Sequence, residues 1–127
     1  MEYIKRSMED VFLTLSEQYP AILLTGSRQV GKTTMLQRLI EVEGRSRDYV
    51  SLDDLNARIL AKSDPAMFFQ LHQPPVLIDE VQYTPELFSY IKIHVDRHQR
   101  AGDVWMTGSH LFKLMDGVQE SLAGRVA

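Results

Sequence analysis

Four short runs, Ala21–Thr25, Tyr49–Leu52, Val76–Ile78 and Val104–Thr107, are apolar and rich in β-branched or aromatic residues. They read as strands buried on both faces, the pattern of a parallel sheet. Between them apolar residues recur at helical spacing. Met35, Leu36, Leu39 and Ile40 share one face of a helix over Thr33–Glu43, and Leu87, Phe88, Ile91 and Val95 form a second stripe. Residues 5–18 read as a further helix, with Met8, Val11, Phe12 and Leu15 on one side. Asp64-Pro65 pairs an N-cap with proline at the first helical position, and Thr84-Pro85 repeats the device. The sum is a helix followed by repeated strand–helix units, hence an α/β sheet with right-handed crossovers. There are no repeats, low-complexity stretches or linker-like segments, so 1–127 is expected to form one domain.

Composition narrows the picture only a little. The 127 residues, 44% hydrophobic and 24% charged, allow a single core. A net charge of −3 gives no reason to expect a general nucleic-acid or membrane-binding surface. With no cysteine, disulfides, thiolate metal sites and a cysteine nucleophile are excluded. No apolar stretch has the length of a membrane span, and the N-terminus lacks a signal-peptide core; the default expectation is a cytoplasmic protein.

The chemistry is concentrated in one loop. Gly26-Ser27-Arg28-Gln29-Val30-Gly31-Lys32-Thr33 fits G-x-x-x-x-G-K-[ST] at every required position, between an expected strand and an expected helix. The glycines permit a tight turn that brings backbone N–H groups around a phosphate, and the helix start adds its positive dipole end. In that frame Lys32 neutralises the β- and γ-phosphates, the Thr33 hydroxyl ligates Mg²⁺, and Thr34 is placed to reach the α-phosphate. ATP with Mg²⁺ is the expected ligand pair.

A second acidic site follows the third strand run, where Val76-Leu77-Ile78 ends in Asp79-Glu80. Buried strands seldom end in adjacent carboxylates without a cation or water to satisfy them. Beside the P-loop, Asp79 is expected to hold the metal shell and Glu80 to polarise the attacking water. The plainer alternative is that both merely begin a loop. Neither the guanine-reading N-K-x-D nor the L-S-G-G-Q of transporter ATPases is present. After the fourth strand run comes Thr107-Gly108-Ser109-His110, which reads equally as a polar group reaching toward the γ-phosphate or as a turn capped by Ser109. His94 and His98, four apart on a helix, lack a third ligand at useful spacing and read as a solvated face; Asp53-Asp54 reads as a helix cap and Trp105 as core. Tyr3 to Arg6 precede the P-loop strand, where a segment can lie near the base, but nothing in their own pattern says so.

Taken together, L-L-T-G-S-R-Q-V-G-K-T-T, D-P-A-M-F-F, P-P-V-L-I-D-E-V-Q-Y-T-P-E-L-F, M-T-G-S and E-S-L-A-G-R resemble the AAA+ ATPases, over nearly the whole chain. Specifically, they resemble a prokaryotic group in which this domain precedes a C-terminal domain of unknown function. It implies a strand order of 5-1-4-3-2, with the first four strands present here as 1-4-3-2. By position, Gly26 to Thr34 match the Walker A motif, Asp79 and Glu80 match Walker B, and Ser109 falls at the sensor-1 position. Arg125 resembles a trans-acting arginine finger, which implies homo-oligomers; from its own pattern, Gly124-Arg125 reads as a helix stop with a solvated arginine. The family continues into a fifth strand and a helical lid, whereas this sequence ends at Ala127, so the resemblance implies a truncated domain with an open sheet edge. The expected function is Mg²⁺-dependent ATP hydrolysis. A P-loop phosphotransferase and a nucleotide-binding module without turnover are the alternatives.

Overall fold

The computed structural model describes residues 2–26, 31–109 and 124–125, with backbone alone for residues 2–7. Its elements are α1 (Glu2–Gln18), β1 (Ala21–Thr25), α2 (Lys32–Glu43), β2 (Asp48–Ser51), α3 (Leu55–Ser63) and α4 (Pro65–Leu71), followed by β3 (Val76–Asp79), a 3₁₀ turn (Val81–Tyr83), α5 (Leu87–His98) and β4 (Val104–Gly108). All strand pairings are parallel, in the order β1-β4-β3-β2. This is the α/β sheet order expected from sequence.

β1, β3 and β4 are largely apolar because helices cover both faces. β2, an outer strand of the described sheet, is not buried on both faces as its run suggested, since Asp48 and Tyr49 are exposed and only Val50 is buried. Alternation sends Val76, Ile78, Val104 and Met106 into a core with Phe68, Leu87, Phe88, Ile91 and Val95 of α4 and α5. The intervening Leu77 and Trp105, with Ile22, pack against Phe12 of α1 and Met35, Leu36 and Leu39 of α2. Each fully buried aliphatic or aromatic side chain in these layers contributes about 1.5–3 kcal/mol. The α2 and α5 stripes lie as the periodicity places them. On α1 only half of the expected side does: Phe12 is buried and Leu15 partly so, while Met8 and Val11 are exposed. The sheet reaches α1 through Phe12 and Ser16; Phe12 meets Trp105 edge-on at 4.9 Å, and the Trp105 indole N–H donates to the Ser16 hydroxyl at 2.9 Å.

Polar contacts pin the amino-terminal edge of the sheet. Buried Asp103, just before β4, accepts from Arg45, His94 and Arg100. Arg47 is buried beneath it, stacks 3.9 Å over Trp105, and donates to the Gly102 carbonyl at 2.6 Å and to Glu43. Burial lowers the Arg47 pKa, an effect the Glu43 carboxylate opposes. Gly102 has φ +70°, and a Cβ there would run into the Ser16 hydroxyl and lie 2.9 Å from the Ser16 carbonyl oxygen, so the approach of α1 needs glycine. His94 is therefore no solvated helical residue, because Asp103 draws its ring inward at 2.8 Å.

The helix caps divide. Asp64 and Asp54 cap α4 and α3, accepting from the N–H groups of Met67 and Ala57. Thr84 does not cap α5. Its carbonyl accepts the Leu87 N–H in a turn through Pro85 and Glu86, and its buried hydroxyl has no hydrogen-bond partner among the described residues. No helix among the described residues is long and apolar enough to cross a membrane.

Candidate functional site

In a parallel sheet all carboxyl ends share one edge, and crossovers there leave a crevice for ligands. Between β1 and β4 that edge receives the start of α2. Gly26 closes β1, and Gly31 stands before Lys32 with φ 72° and ψ 29°. A Cβ on Gly31 would meet nothing within 4 Å, so the restriction there is conformational: other residues pay about 1–2 kcal/mol for this left-handed geometry. Ser27, Arg28, Gln29 and Val30 lie outside the described residues. Lys32 is 6% exposed, and its Nζ donates to the carbonyls of Gly26 at 2.7 Å and Gly108 at 2.9 Å. A buried ammonium thus sits between the ends of β1 and β4, beside the positive end of α2, where an anion is favoured.

Asp79, the last residue of β3, is buried and receives hydroxyls from three different elements. Thr33 donates to its Oδ1 at 3.0 Å, Thr107 donates to the same oxygen, and the Tyr49 phenol donates to Oδ2 at 3.2 Å. The Tyr49 pKa is pushed up to about 12, chiefly by burial and then by the Asp79 charge beside it. With its proton committed to Asp79, the Thr33 oxygen keeps lone pairs for a cation. Hydroxyl and carboxylate oxygens are the donors Mg²⁺ selects, usually one or two from protein and the rest from phosphates and water. The residues present fit such an ion.

The next residue turns sharply. Glu80 has φ 60° and ψ 50°, a left-handed conformation uncommon outside glycine, and it leads directly into the 3₁₀ turn. Its N–H donates to the Thr107 hydroxyl at 2.9 Å, so one threonine joins the backbone of Glu80 to the carboxylate of Asp79. Glu80 is 5% exposed, and its carboxylate accepts from the Gln82 amide at 2.5 Å and the Ser109 hydroxyl at 3.4 Å. Gln82 also donates to the Ser109 hydroxyl at 3.0 Å and accepts the Ser109 N–H at 3.1 Å. Glu80 and Ser109, on adjacent strand ends, are held in one network by Gln82.

Gly26, Gly31, Lys32, Thr33, Asp79, Glu80 and Ser109 therefore meet at a single edge. Thr34 is exposed on the first turn of α2. Arg125 is elsewhere: it pairs with Asp96 on α5 through contacts of 2.6 and 3.1 Å. That pair borders a cavity of about 280 Å³ with Pro20 and Ala101, which precede β1 and β4, so it lies toward the amino-terminal edge. Their hydrogen bond raises the Arg125 pKa and lowers that of Asp96. A larger cavity of about 470 Å³ is also at the amino-terminal side, between Leu13, Glu17, Val42 and Arg45. Neither cavity holds Lys32, Asp79 or Glu80; the polar geometry at the carboxyl edge, not cavity size, marks the site. His110 and Ser121–Ala123 fall outside the described residues, as do the side chains of Tyr3–Arg6.

Sequence reasoning missed Tyr49 and the linking role of Gln82. Tyr49 stands opposite Leu77 in the β2–β3 register, two residues short of Asp79, and nothing in linear spacing ties it there. Thr107 had one signal, a hydroxyl at the end of the apolar run Val104-Trp105-Met106.

A family model described as "AAA domain" (AAA_14) matches residues 18–127. Two curated relatives, Uncharacterized protein Mb2031c of Mycobacterium bovis and Uncharacterized protein Rv2008c of Mycobacterium tuberculosis, are each 36% identical over 107 residues. The match covers 84% of this chain but 24% of each relative, so the chain spans about a quarter of their length.

Proposed function

The chain belongs to the AAA domain family, whose members bind nucleotides, and from that premise we propose that it binds ATP with Mg²⁺ and hydrolyses it. The observation that carries the proposal is the Thr33–Asp79 hydrogen bond of 3.0 Å. It joins the phosphate loop to the acidic strand end, with the Lys32 ammonium buried alongside.

In this mechanism the protein positions and neutralises, with no covalent intermediate. Gly26 through Thr34 wrap the phosphates with backbone N–H groups. Lys32 exchanges its carbonyl partners for the β- and γ-phosphate oxygens. Thr33 and Asp79 hold Mg²⁺, which when bound neutralises charge on the phosphate oxygens. Glu80 orients a water and takes its proton as the water oxygen bonds to the γ-phosphorus and the bridging oxygen leaves with ADP. Ser109 contacts the γ-phosphate and, through Gln82, reports its presence to Glu80. Arg125, remote from its own site, serves the site of a neighbouring copy in a homo-oligomer.

One observation favours a second reading, a nucleotide-binding module without turnover: Gln82 and Ser109 already occupy the Glu80 carboxylate. Phosphate release under saturating Mg·ATP separates the two. Steady release that Glu80→Gln lowers by roughly 10²-fold or more, with ATP binding kept, supports hydrolysis. Saturable binding without release supports the module, and ADP formation only when a second acceptor is present would make the protein a phosphotransferase.

A further inference from the structure

We propose that Tyr49 is a positioning residue for the metal: its phenol fixes the rotation of the Asp79 carboxylate and so sets the Mg²⁺ affinity of the nucleotide site. The inference rests on the reading of this edge as a Mg·ATP site. Both Oδ1 contacts to Asp79, from Thr33 and Thr107, fall on one oxygen. Hydroxyls on one oxygen leave the carboxylate able to swing about its last side-chain bond, a torsion with broad, two-fold preferences. Tyr49 donates to the other oxygen, at 3.2 Å. With both oxygens held, the carboxylate plane has one orientation.

The contact is built by the sheet. In the parallel register Tyr49 faces Leu77 and Ser51 faces Asp79, so Tyr49 and Asp79 project on the same side, that of α2. The phenol must therefore lean along the strand by two residues, roughly 6.6 Å. β2 is an outer strand of the described sheet, and Tyr49 is 37% exposed. A tyrosine there has water within reach, yet its hydroxyl points inward to a carboxylate. Partners that orient a metal-binding carboxylate change metal affinity by 10–100-fold when removed.

The test uses the full chain and reads ATP binding, not turnover. ATP is titrated by calorimetry over a series of Mg²⁺ concentrations, for the wild type, Tyr49→Phe and Tyr90→Phe. Phenylalanine keeps the ring, so only the hydroxyl is lost; Tyr90, exposed on α5, controls for loss of a surface phenol. Tyr49→Phe is expected to raise the Mg²⁺ concentration at half-effect about tenfold while Mg²⁺-free ATP binding stays within about twofold of wild type. Loss of the half-exposed phenol's hydrogen bond lowers the thermal midpoint by a few degrees at most. Tyr90→Phe should match the wild type. A half-effect concentration for Tyr49→Phe within twofold of wild type would overturn the inference and leave the Mg·ATP site standing. Equal losses in Mg²⁺-free binding and in thermal midpoint would also overturn it, as a purely structural effect. If the wild type shows no Mg²⁺-dependent ATP binding, the reading of the site fails and the inference with it.

Discussion

Replacing Thr107 with valine removes one oxygen from the centre of the site while keeping the shape of the side chain. Thr107 is fully buried at the end of β4, donating to the Asp79 carboxylate and accepting the Glu80 N–H. A hydrogen bond to a charged group contributes about 1.5–3 kcal/mol, and a neutral one about 1 kcal/mol. Valine also spares the cost of burying a hydroxyl, which offsets about 1 kcal/mol. The net loss for Thr107→Val is therefore about 1.5–3 kcal/mol, or a fall of roughly 6–12 °C in Tm for a domain this size. Urea unfolding of the ligand-free protein gives the free energy, and a thermal scan gives the midpoint. Thr107→Ser keeps the hydroxyl and deletes only a methyl, so it should cost about 1 kcal/mol. A Thr107→Val protein within about 0.5 kcal/mol of wild type would refute the reasoning, since that is the size of an ordinary surface change. So would a serine variant that falls as far as valine.

Gln82→Ala should leave ATP binding intact and lower phosphate release, because it removes the amide that ties the Glu80 carboxylate to Ser109; equal turnover in variant and wild type would show that the link is idle. Arg47→Met strips a buried guanidinium from Glu43 and from the Gly102 carbonyl, and should cost about 3 kcal/mol in urea unfolding; a loss under about 1 kcal/mol would contradict this. Arg125→Ala should return the Asp96 carboxyl to its ordinary pKa, seen by NMR titration, since Arg125 now holds it below that value. A depressed folded pKa gives stability present above the unfolded pKa and lost as pH falls through the folded one, so the variant loses this acid-window contribution. An unchanged Asp96 titration would show that the pair does not persist in solution.

How much of this could be read from the chain depends on how far apart in sequence the interacting groups lie. The glycine- and lysine-bearing motif ending in Gly31-Lys32-Thr33, the acidic strand end and the α5 stripe Leu87, Phe88, Ile91 and Val95 are local patterns, and the buried face of α5 follows from the last of them. The strand order 1-4-3-2 came from the resemblance rather than from periodicity. What stayed hidden depends on register between distant segments. Tyr49 reaches Asp79 across 30 positions, and Gln82 reaches Ser109 across 27. Helical periodicity placed Met8 and Val11 with Phe12, but the small patch of sheet that α1 covers takes only Phe12 and its neighbours. His94 read as solvated because its partner, Asp103, is on the far side of the α5–β4 connection. Thr84-Pro85 carried a cap signature, and the turn through Glu86 displaced the helix start by two residues.

The most direct test of the central claim is calorimetric titration of Mg·ATP into the wild type and Lys32→Ala. Saturable wild-type binding that Lys32→Ala abolishes, with both proteins equally folded, is the predicted result. Binding of equal strength by both would contradict it, because the buried ammonium between β1 and β4 would then have no part in holding the nucleotide.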